Sequence, residues 1–367
     1  MNALRQILAF SLAVVALTVL AQPEVTWLER HHNFGIIMEK DGKVRCALRL
    51  VNTGDAPLVI VKAQVGCGCT GISFPESPIQ PGDTAMVNVS YDPSGRPGQF
   101  SKQAMIFTNA EPKRTSIEIT GNVIPSDETL DKQYPLRAGA LRISQGNIPF
   151  GEMLKGKSNS LFLSAYNAST DTLLVHVSGE KPHLKPALVP DTVPPGSVTA
   201  LTVFYISSKA PLWGLNVDTL TVTCEPLRKS SSAKPESANV NVMAQVMEDF
   251  SKLTDKERYD APVARMDCGD RLDFGDMTIG QSVTRQFNVA NKGKEQLIIR
   301  RLWTPDGNGV TIKANRTEVK RGKSATITVT VDTSHFKEGV LNEPLIVITN
   351  DPDSPRQTIR LVGIIDK

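Results

Sequence analysis

Three stretches of strict alternation stand out along the chain. Val87, Val89 and Tyr91 share one face of an extended segment, Leu201, Val203 and Tyr205 share another, and Ile327, Val329 and Val331 a third. Polar residues fill the positions between them, and a period of two with one apolar face predicts half-buried antiparallel strands. Each stretch is opened by a turn, at Pro81-Gly82, Pro195-Gly196 and Arg321-Gly322. Other landmarks keep the same order around it. Phe34-Gly35, Phe150-Gly151 and Phe274-Gly275 come first, then Asn52, Asn167 and Asn291, and late in each stretch Thr108-Asn109, Thr223-Cys224 and Thr349-Asn350. Closing strands end at Gly121-Asn-Val123, Ala244-Gln-Val246 and Gly363-Ile-Ile365. Landmarks repeated three times in order predict a repeated unit. Roughly 100 residues with roughly seven short strands per unit is the pattern of an Ig-like sandwich.

The expected organisation is therefore a signal peptide at 1–21, Ig-like units at 22–124, 138–248 and 263–367, and linkers at 125–137 and 249–262. The first segment carries one early charge, Arg5, then an apolar run ending in small Ala21, as a secretory signal does. Nothing later is apolar enough to span a bilayer. Both linkers are short and polar, the second with room for a helical turn, and 228–237 reads as a long hairpin loop in unit two.

Unit one carries Asn33-Phe-Gly35, Leu50-Val-Asn-Thr-Gly54, Leu58-Val-Ile60, Cys67-Gly-Cys-Thr70, Ile79-Gln-Pro-Gly82 and Gly98-Gln-Phe100 before Thr108-Asn109. In these it resembles the bacterial domain-of-unknown-function family 1573, over 25–124 and more weakly over 263–366. That family is similar to Hydin-type (ASH) Ig-like domains and, more distantly, to pilus-chaperone sandwiches. The resemblance implies an all-β fold of three tandem Ig-like sandwiches in a protein exported by Bacteroidetes, with no activity attached. Unit two lacks Asn-x-Gly and the cysteine pair, so its membership rests on spacing.

Composition narrows the partners. Lys and Arg number 41 against 38 Asp and Glu, a net charge of +3, too balanced for a nucleic-acid binder. Only 5% of residues are aromatic, which offers little for stacking on bases or sugars and turns the reading towards protein partners.

Five cysteines in an exported chain leave at least one unpaired. Cys46 lies on an inward strand face and reads as a small buried hydrophobe; Cys224 and Cys268 belong to different units and read as structural or free thiols. Cys67-Gly-Cys69 is the pair with chemical character. It follows a strand at 58–65, and Gly66, Gly68 and Gly71 suggest a turn that needs backbone freedom. Units two and three place Pro-His-Leu and Asp-Gly-Asn near the same point. Three readings stay open. A Cys67–Cys69 disulfide suits an oxidising envelope, and so small a ring should be readily reduced. Copper or zinc coordination by the two thiolates would need further ligands such as His31 and His32. Inert packing, or pairing with Cys46, is the third.

The remaining histidines, His176, His183 and His335, read as surface or satisfied residues, and Asp351-Pro-Asp353 as a hairpin turn rather than a calcium loop. Asp-Thr-aliphatic triplets make Thr84, Thr172, Thr192 and Thr219 candidate O-glycosylation sites of the kind Bacteroidetes modify. No nucleophile elbow, metalloprotease motif or phosphate-binding glycine loop is present, and no cofactor is expected. The chain is read as a non-enzymatic periplasmic or cell-surface protein that associates with envelope proteins through the loop Gly66, Cys67, Gly68, Cys69, Thr70 and Gly71 and through its linkers. The alternative is redox or metal chemistry at Cys67 and Cys69.

Overall fold

The computed structural model describes residues 21–228 and 234–367. The signal-peptide expectation, apart from Ala21, and the middle of the 228–237 loop lie outside the described residues.

Unit one contains β1 (Val25–Trp27), β2 (His31–Met38), β3 (Val44–Asn52), β4 (Ile60–Val65), β5 (Thr70–Ser73), β6 (Thr84–Tyr91), β7 (Gly98–Thr108) and β8 (Arg114–Ile124). They form two four-stranded sheets, in the orders β1-β3-β6-β5 and β2-β8-β7-β4. After helix α1 (Asp127–Gln133), unit two contains β9 (Leu136–Ala138), β10 (Leu141–Ile143), β11 (Asn147–Leu154), β12 (Ser158–Asn167), β13 (Leu173–Ser178), β14 (Leu184–Val189), β15 (Thr192–Val193), β16 (Val198–Ile206), β17 (Gly214–Pro226) and β18 (Glu236–Met247). Its two five-stranded sheets run β14-β16-β12-β10-β9 and β11-β18-β17-β13-β15. Helix α2 (Asp255–Asp260) leads into unit three, with β19 (Ala264–Met266), β20 (Arg271–Thr278), β21 (Ser282–Asn291), β22 (Leu297–Trp303), β23 (Val310–Ala314), β24 (Glu318–Val319), β25 (Ser324–Asp332), β26 (Gly339–Thr349) and β27 (Arg356–Asp366). Its sheets run β19-β21-β25-β23 and β20-β27-β26-β22-β24.

The alternating stretches are β6, β16 and β25, and their inward residues are buried in three separate cores. Val87, Val203 and Val329 are fully covered, each worth about 1.5–3 kcal/mol in area removed from water. Two expectations need correction. The units hold eight to ten strands rather than seven, because short edge pieces such as β15 and β24 add to the frame. The sheets are also not purely antiparallel. β2, β11 and β20 pair in parallel with the closing strands β8, β18 and β27. Each parallel pairing slips at its Phe-Gly site, where Gly35, Gly151 and Gly275 take φ of +67°, +66° and +73°. Only glycine adopts that geometry at little cost, which accounts for the repeated dipeptide.

The repeated asparagine has an equally specific cause. Asn52, Asn167 and Asn291 are fully buried. The Asn52 amide donates to Ala56 O at 2.8 Å and Ile79 O at 2.9 Å, and its carbonyl accepts from Gly54 N at 3.1 Å. Asn167 repeats this with Asp171 O, Val193 O and Ser169 N, and Asn291 with Glu295 O, Val319 O and Gly293 N. A carboxylate could not donate and an aliphatic side chain could do neither, so the bracket requires an amide.

The late landmark in unit two is mis-registered by the sequence reading. Thr108 and Thr349 pair with Ile60 and Ile299, and the counterpart pairing with Val175 is made by Cys224, so Glu225 rather than Cys224 stands where Asn109 and Asn350 do. Asn109 and Asn350 each accept a hydrogen bond from the strand opposite, at Val59 N and Ile298 N.

The linkers are structured. Ser126 Oγ caps α1 by accepting from Thr129 N, and Thr254 with Glu257 forms a reciprocal capping box on α2. They act as spacers packed on the neighbouring units, not as free polar tethers.

Candidate functional site

The chain leaves one sheet at β4, an edge strand, and enters the other at β5, also an edge strand; residues 66–69 make the crossing. Within it Cys67 and Cys69 are joined in a disulfide with Cα atoms 5.3 Å apart. Cys67 is half-buried and Cys69 is 4% exposed, packed into the unit-one core. Thr70 Oγ1 lies 3.6 Å from the Cys67 sulfur and 3.8 Å from that of Cys69. The expected need for glycine conformations is not met. None of Gly66, Gly68 and Gly71 has a positive φ, and only at Gly71 would a Cβ collide, 2.7 Å from Ser90 Oγ. Around Gly66 and Gly68 the space is open.

As a disulfide the pair has no thiolate to offer a metal, and His31 and His32 are remote from it. They lie on β2, at the far edge of the sheet from β4, where His31 Nε2 meets Thr120 Oγ1 and His32 packs edge-on against Phe34. Among the described residues no group of three or more His, Cys, Asp or Glu could hold a metal ion. Cys46, Cys224 and Cys268 are free thiols, each raised above the ordinary cysteine range by burial. Cys224 donates to Ala138 O at 2.9 Å.

The same crossing recurs in the other units. Thr70, Leu184 and Val310 pair respectively with Tyr91, Tyr205 and Val331, and the carbonyls of Cys69, His183 and Gly309 accept from Asp92 N, Ile206 N and Asp332 N. Cys69, His183 and Gly309 are therefore one structural position, and Lys181 corresponds to Cys67. In unit two His183 Nε2 donates to Asp218 Oδ2 at 2.8 Å and Lys181 Nζ to Asp218 Oδ1 at 2.6 Å, with both His183 and Asp218 buried. Burial works to raise the Asp218 carboxyl, but the Lys181 and His183 hydrogen bonds outweigh it and hold it below the ordinary carboxylate range. In unit three a Cβ on Gly309, at φ +74°, would lie under 3 Å from Phe336, His335 and Asp332 O.

The candidate glycosylation sites differ in access. Thr84 and Thr219 are exposed, while Thr172 and Thr192 are half-buried. Thr219 lies mid-strand on β17, bonded to Asn241, and the Asp218 of its triplet is engaged beneath the surface. His176 is exposed on β13, His335 is exposed in a short turn, and Asp351 accepts from Ala264, Asp353 and Ser354 amides inside a hairpin turn.

The joints between units are built from residues with no sequence signature. Glu39 of unit one accepts from Gly95 N, Ser126 N and Thr129 Oγ1, each at 2.7 Å, tying α1 to unit one. Burial works against ionisation of Glu39, but those donors prevail and lower its pKa. Leu130 and Tyr134 then pack on Tyr166 of unit two, whose phenol burial pushes up to about 12. At the second joint Arg300 forms a forked bond to Glu248, and Arg301 Nη1 donates to Trp213 O and Leu215 O at 2.9 and 2.6 Å over an apolar layer of Met247, Ile346 and Ile348. The glycine that opens the penultimate long strand makes a close approach in both cases. A Cβ on Gly98 would meet Val198 of unit two at 3.2 Å, and one on Gly214 would meet Ile348 of unit three at 2.5 Å; around Gly339, their counterpart, nothing lies within 4 Å. The capping pattern Ser/Thr-x-x with Glu257 was the one readable sign of ordered linkers.

Comparison with known proteins agrees with this architecture. Residues 25–123 match the family described as "Protein of unknown function (DUF1573)", and residues 264–364 match "HYDIN/CFA65/VesB-like, Ig-like domain". No curated protein matches the chain. Among solved structures, a protein of unknown function from Porphyromonas gingivalis W83 is 19% identical, with 62% of this chain and 100% of that one covered at a TM-score of 0.48. The ASH/PapD-like domain 7 of human CEP192 is 14% identical over 30% of this chain and 88% of its own, at 0.26. The Vibrio cholerae VesB protease is 16% identical over 28% and 32%, at 0.23. Among the described residues no helix is long and apolar enough to cross a membrane. Residues 25–123 thus resemble DUF1573 domains and residues 264–364 resemble HYDIN/CFA65/VesB-like Ig-like domains, each by its own match.

Proposed function

We propose that the chain is a non-enzymatic, exported protein of the periplasm or cell surface that binds envelope proteins by accepting a partner strand at β5. The observation that carries this is a difference among three equivalent edges. β14 carries Pro186, which has no N–H to donate, and β23 presents exposed Lys313, two devices that discourage strand addition, while β5, Thr70-Gly-Ile-Ser73, has neither. An unguarded edge offers backbone donors and acceptors to an extended peptide. The packed joints hold this edge at a set position relative to units two and three, and Ig-like units fit protein partners.

The test is a photo-crosslinking residue placed at Ser73 or, for comparison, at Lys313 in producing cells. A discrete, reproducible adduct from Ser73 and none from Lys313 is expected. Uncrosslinked chain alone from Ser73, or the same adducts from both positions, would overturn the proposal.

A further inference from the structure

The geometry points to a second activity at the β4–β5 crossing: we propose that Cys67–Cys69 is a thiol–disulfide exchange site that passes its bond to a protein dithiol. This goes beyond the strand-addition reading and does not depend on it.

Four observations converge. The fold closes the same turn without sulfur in units two and three, so the bond is not needed to make the crossing. It bridges residues two apart, a ring too small to restrict the unfolded chain much, so its structural value is low. Access is asymmetric, with Cys67 at the surface side and Cys69 4% exposed beneath it. Gly66 and Gly68 leave the approach to Cys67 bare although their backbone conformations would accept a side chain. Thr70 Oγ1 stands within reach of both sulfurs, placed to donate a hydrogen bond to whichever becomes a thiolate. No internal thiol competes. Cys46 sits on β3, two strands from β5 in the order β3-β6-β5, about 10 Å away at ordinary strand spacing.

The step balances as follows. A partner thiolate attacks Cys67 Sγ; the Cys67–Cys69 bond breaks and Cys69 leaves as a thiolate, hydrogen-bonded by Thr70 and then protonated from solvent. The partner's second thiolate attacks its own sulfur in the mixed disulfide and releases Cys67. Two electrons pass to Cys67 and Cys69, and the partner dithiol becomes a disulfide.

Four measurements on the purified full chain test this, with the Cys67→Ser, Cys69→Ser double variant supplying the background of the other three thiols. Across a series of reduced to oxidised glutathione ratios, followed by alkylation and mass analysis, Cys67 and Cys69 should open and close together and reversibly. The thermal midpoint should shift by less than about 10 °C. Toward Ellman's reagent, Cys67 in a Cys69→Ser variant should react about ten-fold faster than Cys69 in a Cys67→Ser variant. Thr70→Val should slow opening by glutathione about ten-fold, and Thr70→Ser should restore it. Thiols that appear only on unfolding, equal reactivity of the two single cysteines, or an unchanged rate in Thr70→Val would overturn the proposal.

Discussion

Units one and two carry different chemistry at the same crossing between sheets. Unit one joins Cys67 to Cys69 within the turn, and unit two directs Lys181 and His183 onto Asp218 of the opposite sheet. The unit-two arrangement fastens the turn to the sandwich, because its charges are shared across the two sheets. The disulfide fastens the turn only to itself. One backbone position is therefore tied across the sheets in one copy and only within its own turn in another.

The largest effect that would break this contrast is removal of the unit-two fastening. Asp218→Ala leaves His183 buried without its acceptor, while half-exposed Lys181 turns to water, so the cost falls on the histidine. A loss of about 2–3 kcal/mol is expected in urea unfolding of unit two, against little change in unit one. Equal losses in both would mean the units do not unfold separately.

Acid offers a gentler separation. The folded Asp218 carboxyl lies below its unfolded value, so the stability it supplies is complete above the unfolded pKa of about 3.9 and disappears as pH falls through the lower folded value. The disulfide has no proton to gain. Hydrogen exchange at 181–184 should therefore accelerate below about pH 4 relative to 67–70. Parallel acceleration of both turns would refute the distinction.

The smallest effect sharpens it. With open space around Gly66 and no positive φ, Gly66→Ala should alter stability by less than about 0.5 kcal/mol while a bulkier Gly66→Trp slows opening of the disulfide by glutathione. A destabilising Gly66→Ala would show that the glycine serves the backbone after all.

Much of the frame is legible in the sequence. Alternation in β6, β16 and β25 depends only on local side-chain order, and Asn52, Asn167 and Asn291 repeat because one set of carbonyls recurs in each unit. Residue identity misled by one place in unit two: Cys224 fills the position of Thr108 and Thr349, so Glu225 takes that of Asn109 and Asn350, and Thr223 lies one place earlier. Period-two reading could not reveal the parallel pairing of β2 with β8, since both directions give the same alternation. The joints were invisible because each rests on single charged residues meeting across long separations, Glu39 with Ser126 and Arg300 with Glu248. At the cysteine turn, the sequence displayed the cysteine pair but not the Thr70 hydroxyl beside both sulfurs or the buried position of Cys69.

The glycine approaches at Gly98 and Gly214 give the molecule a heading. Each joint sets the strand-opening end of one unit against a different surface of the next, so the contacts are heterologous and the row reads differently from its two directions, as an arrow does. Units one and two have their seats filled by their successors. A Cβ on Gly339 would meet nothing within 4 Å, and Val340 beside it is 80% exposed. Both filled seats face the unit that follows in the chain, so the two joints point the same way.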